Sequence, residues 1–304
     1  MADGPSSSYT NTRLGLFHRF SEAKSLFKRH TIDVAQEVSR HLQQMDYARA
    51  AIENALGAPL TAKKILEIGP GQQLRQARYF AADNEVIAVD LDEIAFTANP
   101  FALLRALKVN GPIRFTKTMA RKIAGFDRRF VKEMIKQRPL TAGAQPRVLR
   151  RDAARTGLPP ASIDCAMSYS VFEHLPDPGA VLCEILRLLR PGGVSHHVVH
   201  IYSSDSGAHD ARTYLPNRVL PYWCHLQPDQ AHLVASNCYI NKLALADWLT
   251  LFERYCPGAR VEYFRSEDAV TIGALSALRD RGSLAGYSDA ELLTNALQFT
   301  WKKH

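Results

Sequence analysis

The sequence predicts a doubly wound α/β fold with a mostly parallel sheet, and three observations predict it. Short apolar runs (KKILEIG from Lys63, EVIAVD from Glu85, SIDCAMSYS from Ser162) alternate with segments of helical spacing, the mark of parallel βαβ units. The runs are continuously apolar, as strands covered by helices on both faces require. Pro191-Gly192-Gly193 then stops a helix and turns the chain into another apolar run, VSHHVVHIY.

Taken in order, residues 1–12 are polar, contain Gly, Ser and Pro, and read as a flexible tail. Residues 13–60 read as an N-terminal helical cap. From Thr31 to Leu56 the apolar positions Val34, Val38, Leu42, Met45, Ala48, Ile52 and Leu56 recur at spacings of three and four, with Thr31 or Asp33 available to cap the start. Residues 61–304 read as the sheet domain, with a helix from about Gln72 to Ala82 and another through Val181, Leu182, Ile185, Leu186 and Leu189. After RVLRRD and the strand Ser195–Tyr202 come a helix over Leu243–Phe252, the strand ARVEYFR, a helix start at Ser288–Leu293 and the strand LQFTWKK. An insertion at 96–146 interrupts the domain.

The chain has 304 residues, 46% hydrophobic and 22% charged, proportions that exclude wholesale disorder and a membrane bundle. No apolar run approaches the roughly 18 residues that cross a bilayer, and the first residues lack the apolar stretch of a secretion signal, so a cytoplasmic protein is expected. The five cysteines are far apart with no C-x-x-C pair, which argues against a disulfide framework or a structural zinc site. The net charge of +8 is local: between Phe101 and Arg147 twelve Lys or Arg face two acids, 12 − 2 = +10, and the remainder carries 26 − 28 = −2. A general nucleic-acid coat does not fit that distribution.

The most specific local signal is Glu67-Ile68-Gly69-Pro70-Gly71 at the end of the first strand. Glycine there lets the backbone take positive φ close to a ligand. Leu74 stands where a dinucleotide fingerprint would place its third glycine, and Glu67 would repel a diphosphate but attract a cation. Asp90 ends the second strand, 23 residues past Glu67, where a carboxylate accepts from ribose hydroxyls. Asp152 closes the third strand, placed to accept from an adenine amine. Three acids at three strand ends suit a cationic ligand with ribose and adenine but no phosphate, and S-adenosylmethionine fits.

ILEIGPG, VIAVDLD and RDAARTGLPPASIDCAMSYSVFEHLPDPGAVLCEILRLLRPGG, in this order, resemble the class I S-adenosylmethionine-dependent methyltransferases, especially the small-molecule group that includes the ubiquinone and menaquinone enzymes. The resemblance spans about residues 62–200, and SDAELLTNALQFTWKK is similar to that fold's closing antiparallel strands. It implies a seven-stranded Rossmann-like sheet and S-adenosyl-L-methionine as cofactor. It further implies that Gly69 and Gly71 admit the methionine part, with Glu67 near its ammonium group. Asp90 would take the ribose hydroxyls with Leu91 against the adenine, Asp152 and Ala153 would meet the adenine edge, and Ser168, Tyr169 and Ser170 would line the methionine side. The chain departs from the family between Asp92 and Asp152, where about sixty residues replace some twenty, and the excess is the basic insertion.

Methyl transfer is a direct displacement, so the enzyme must align the nucleophile and, for oxygen, remove its proton. Histidine suits that task. The candidates, in order, are His209 in the polar loop Ser203–Asp210, His200 near its strand's carboxyl end, and His174 of the Glu173-His174 pair. His196 and His197 point to opposite faces of their strand and read as packing residues. The expected reaction is transfer to oxygen of a saccharide, natural-product or lipid-linked acceptor. The alternatives are N-methylation of a small molecule, a non-catalytic cofactor-binding scaffold and a nicotinamide-dependent oxidoreductase. In the insertion, Met119, Ile123, Phe126, Phe130 and Met134 fall at helical spacing over Thr116–Gln137, with cations on the other sides. Such a helix packs on the core, covers the site toward an anionic substrate, or rests peripherally on an anionic membrane. Nucleic acid is not an expected partner, because no RNA module accompanies the charge, and the oligomeric state is not set by the sequence.

Overall fold

The structure, a computed structural model, describes residues 34–94, 100–214, 218–236 and 238–304. The expected tail at 1–12, the caps Thr31 and Asp33 and the insertion's first residues lie outside them. The elements are α1 (Val34–Leu56), β1 (Lys64–Ile68), α2 (Arg75–Phe80), β2 (Glu85–Asp90), α3 (Pro100–Ile123), α4 (Phe126–Gln137), β3 (Arg147–Arg150), β4 (Ile163–Tyr169), α5 (Pro178–Leu188) and β5 (Leu189–His200). They continue as α6 (Leu245–Tyr255), β6 (Arg260–Arg265), α7 (Ala269–Arg279), α8 (Asp289–Leu293) and β7 (Thr294–Lys302). The seven strands form one sheet in the order β3-β2-β1-β4-β5-β7-β6. β1 runs parallel to β2 and β4, and β2 parallel to β3. β7 is antiparallel to β5: Gly192 and Lys303 are bonded at one end, Ile201 and Asn295 at the other. No helix among the described residues is long and apolar enough to cross a membrane.

The chain divides into two compact units, one of residues 29–169, 179–197 and 300–304, the other including 170–178 and 198–299. The helix read as a cap belongs to the core of the first. Val38, Met45 and Ile52 are fully buried and cluster with Ile65, Val86, Tyr79 and Phe80, and Phe130 and Met134 of α4 join the same cluster. Arg49 clasps Asp83 through two hydrogen bonds of 2.8 and 3.0 Å, and the Arg75 guanidinium sits 3.8 Å over the Phe130 ring. In the other unit, Phe252 stacks on Phe299 at 3.6 Å, and Trp223 packs with Leu275, Leu278, Leu284 and Leu292.

Three element boundaries differ from the sequence expectation. The helix after the glycine turn starts only at Arg75, because Leu74 takes a left-handed φ of 53°. The insertion's single expected helix is two, broken at Gly125 (φ 72°), and α3 is itself kinked at Gly111, which the following Pro112 keeps out of the helical region. Pro191-Gly192-Gly193 lies inside β5, because Gly192 and Gly193 are already paired to Lys303.

The burial of α1 has a measurable consequence. Met45→Ala should lower the unfolding free energy by about 2–5 kcal/mol in chemical denaturation. Gln43→Ala, on the exposed face of the same helix, should change it by less than about 0.5 kcal/mol. Equal small effects would mean that α1 is an appendage.

Candidate active site

Parallel pairing brings the carboxyl ends of β1, β2 and β4 side by side, with Ile68 opposite Val89 on one side and Ser168 on the other. Beyond β1, Gly69 donates to the Val89 carbonyl at 2.8 Å, and Gly69 and Gly71 both take left-handed φ, 65° and 64°. A Cβ on Gly71 would meet nothing within 4 Å, so the space beside the turn is open. Glu67 is 2% exposed, and its Oε2 has no hydrogen-bond partner. Burial, with the Asp90 charge adding to it, pushes its carboxyl up to about 8. Asp90 accepts from the Asp92 amide at 2.9 Å; burial raises it to about 6, and the Asp92 and Gly71 amides oppose the rise. An orphaned carboxyl oxygen, a second desolvated carboxyl and an open glycine turn form a set that is acceptor-only once both acids are ionised, the form a bound cation favours. It fits a ligand bearing a cation and hydroxyls, as S-adenosylmethionine does, and disfavours a phosphate.

The other expected cofactor residues are placed less uniformly. Leu91 is half-buried beside Asp90, and its carbonyl accepts from Arg150 at 3.3 Å. Asp152 is exposed and accepts from the Ala154 amide at 2.9 Å, a local turn with Ala153 buried beneath it. Ser168, expected to line the methionine side, is fully buried, and its hydroxyl bonds His197 Nδ1 at 2.8 Å. Tyr169 turns its hydroxyl to His196 Nε2 at 3.3 Å, and burial, then the Glu67 charge, raises that phenol well above its usual range. Ser170, in the second unit, takes a left-handed φ of 51° and donates its amide to Val198.

The second unit brings together the three histidines that the sequence ranked separately. His174 closes the turn Phe172–His174 and His200 ends β5. Turn bonds from Gly207 to Ser204 and from His209 to Ser206 curl the next loop back, with His209 at a left-handed φ of 53°. His209 Nε2 meets His200 Nδ1 at 2.6 Å, and the His209 and His174 rings sit edge to face with centroids 4.8 Å apart. His200 Nε2 reaches the Ser206 hydroxyl at 2.9 Å, and the Tyr239 carbonyl accepts from His174 Nδ1 at 2.8 Å. Burial lowers all three histidines, His200 to about 4 and His209 to about 3, with neighbouring histidines adding to the shift in these two. Asp210 does not orient His209; Arg212 holds it, at 2.6 and 3.0 Å.

Two members of this cluster were not legible as such. Asn241 binds the carbonyls of Phe172 and Leu175 at 2.9 and 3.1 Å, which draws Cys238 and Tyr239 onto the His174 turn. No spacing announces a contact across some sixty residues. Glu173 was visible only as half of a dipeptide; it is 2% exposed, and neither carboxylate oxygen has a hydrogen-bond partner of good geometry. Burial pushes it up to about 8, and the nearby amides of Glu173 and His200 offset this only in part.

Residues 110–196 match the family model of a methyltransferase domain. No curated protein sequence matches significantly. Among solved structures, a phosphoethanolamine N-methyltransferase from Haemonchus contortus in complex with S-adenosyl-L-methionine is 16% identical over 84% of this chain and 52% of its own, TM-score 0.43. A SAM-dependent methyltransferase from Aquifex aeolicus is 13% identical over 88% and 98%, TM-score 0.38. A TehB-like SAM-dependent methyltransferase from Corynebacterium glutamicum is 14% identical over 89% and 98%, TM-score 0.38.

Two outcomes follow from the geometry. Folding favours protonated Glu67, since its carboxyl is raised from 4.5 to about 8. That stabilisation is complete below about pH 4.5 and is lost as pH rises through about 8. Asp90, raised from 3.8 to about 6, acts in the same sense. Glu67→Gln should therefore raise the melting temperature of the ligand-free protein at pH 8, flatten its decline between pH 5 and 8, and weaken S-adenosylmethionine about tenfold or more in calorimetry. A profile identical to wild type would refute the assignment. Separately, a Cβ on Gly207 would run into the carbonyl oxygens of Tyr202 and Ile201. Gly207→Ala should destabilise by about 1–3 kcal/mol and reduce turnover by displacing His209; wild-type stability and turnover would show that the loop accommodates the methyl group.

Proposed function

We propose that this chain, a class I S-adenosylmethionine-dependent methyltransferase, methylates an oxygen of a small molecule such as a saccharide, a natural product or a lipid-linked acceptor. The observation that carries the oxygen assignment is the cluster of His174, His200 and His209. In the chain, His174 follows the end of β4 and His200 closes β5. When bound, the cofactor supplies a sulfonium methyl whose C–S bond breaks as the new O–C bond forms, leaving a neutral thioether. Glu67 and Asp90 hold its cationic and hydroxyl-bearing parts. A hydroxyl acceptor must also lose its proton. His174 has Nδ1–H committed to the Tyr239 carbonyl, which leaves Nε2 with a lone pair in a defined direction. His209, linked through His200 to Ser206, offers a second ring in the same cluster.

A further feature supports an acceptor that is anionic or held at a lipid surface. On α3, Phe101 and Leu104 are 83% and 65% exposed, and the exposed cations Lys108, Arg128 and Lys132 lie on α3 and α4. Apolar side chains beside cations suit a partner with an acidic head and an apolar body.

The test uses methyl-labelled cofactor against hydroxyl and amine acceptors of varied charge, with nicotinamide dinucleotide titrated in parallel. The expected product carries the label on oxygen, and His174→Gln lowers kcat by about 10²–10⁴-fold while cofactor affinity stays nearly constant. Salt and the triple change Lys108, Arg128 and Lys132→Gln should raise KM for an anionic acceptor together. Label on nitrogen, or unchanged kcat in the variant, would overturn the oxygen reading.

A further inference from the structure

We propose that His174, His209 and Cys238 form a three-ligand site for a soft divalent cation of the zinc type, a site that the cysteine spacing of the sequence argued against. One ligand atom from each of the three lies within 4.8 Å of the others. Hydrogen bonds indicate which ring nitrogens keep a lone pair. The Tyr239 carbonyl can only accept, so His174 Nδ1 carries the proton and Nε2 is left as the ligand. His209 Nε2 and His200 Nδ1 share one proton across 2.6 Å; in the tautomer that places it on His209, His200 donates from Nε2 to Ser206. His209 Nδ1 is thereby left facing Cys238 Sγ at 3.9 Å. Nitrogen and sulfur on one tetrahedral zinc, at about 2.0 and 2.3 Å from the metal, are about 3.6 Å apart, so a small closure of the pair suffices.

The surroundings agree with a cation. Ligating histidines commonly donate their second ring N–H to a carbonyl or another acceptor; His174 does so to Tyr239, and His209 does so to His200 in the tautomer that frees its Nδ1. A divalent ion with one thiolate leaves a net charge of +1. Glu173, buried and with both carboxylate oxygens unpartnered, lies with an oxygen within 4.8 Å of ligand-capable nitrogens on His200 and His209. The second possible grouping, Glu173 with His200 and His209, is disfavoured as a direct ligand set. That set would draw on histidines whose facing nitrogens, His200 Nδ1 and His209 Nε2, are already bonded to each other at 2.6 Å, closer than the about 3.3 Å between two nitrogens on one tetrahedral ion. Two imidazoles and a thiolate select zinc over magnesium or calcium. Three protein ligands leave a fourth position open, the arrangement of ions that act on a substrate. The inference rests on the cluster and not on methyl transfer: a bound ion would take the His174 lone pair and so replace it as the base, and the test below reads metal binding without any acceptor, so its failure leaves the methyl-transfer reading in place.

The test is cobalt titration of the tag-free, chelator-treated full chain, read by absorption and with no acceptor or turnover involved. The expected result is a thiolate-to-cobalt charge-transfer band with tetrahedral visible bands, saturating near about one equivalent and displaced by zinc. Cys238→Ser should abolish the charge-transfer band, while Cys183→Ser, an exposed cysteine, should keep it. His200→Ala should weaken binding by about 10–100-fold with the band intact, the signature of an outer partner. A wild-type spectrum without the charge-transfer band overturns the proposal, whatever the variants do. A band that survives Cys238→Ser in a folded protein also overturns it.

Discussion

The desolvated carboxyl of Glu67 near the end of β1 is the constraint around which the first unit is arranged. Glu67 is buried by its position in the centre of the parallel ladder, between β2 and β4. No cation among the described residues pairs with it, and Asp90 at the next strand end makes its ionisation harder still. A buried carboxylate without a partner is unfavourable. Here it is retained close in the chain to a turn where a Cβ on Gly71 would meet nothing within 4 Å.

The histidines of β5 illustrate how position decides the fate of one residue type. His197 has both ring nitrogens bonded to hydroxyls, Ser168 at 2.8 Å and Ser195 at 2.7 Å, and His196 is bonded to Thr300 and Tyr169. Both are fully buried, neutral and internally satisfied, which is the condition for a core histidine. At the strand's end, His200 meets another imidazole, and the chain of bonds runs on through His209 toward Cys238. That chain ends in lone pairs, and lone pairs are what a proton or a metal ion requires.

The basic insertion is tied down more than its charge suggests. Arg114 pairs with Asp92, Arg121 with Asp127 and Arg138 with Asp46, while Phe130 and Met134 anchor α4 beside α1. These ion pairs are partly exposed and individually contribute little; burial of the apolar side chains accounts for the anchoring.

By itself the sequence determined the strand–helix alternation, the glycine turn and the acids at strand ends. Each is a local pattern: a run of apolar residues, a glycine where φ must be positive, a carboxylate at or just past a strand end. The split of the insertion at Gly125 was also local, yet the apolar spacing runs through it and hid the break. Only tertiary structure decided that Ser168 serves the core, that α1 shares a core with the sheet, and that three histidines, Glu173 and Cys238 form one cluster. The physical reason is sequence separation. Asn241 clamps the Cys238 segment onto a turn some 65 residues earlier, and Gly207 lets the His209 loop fold back against its own strand. Contacts of that kind depend on how the chain returns in space, and no periodicity along it records them.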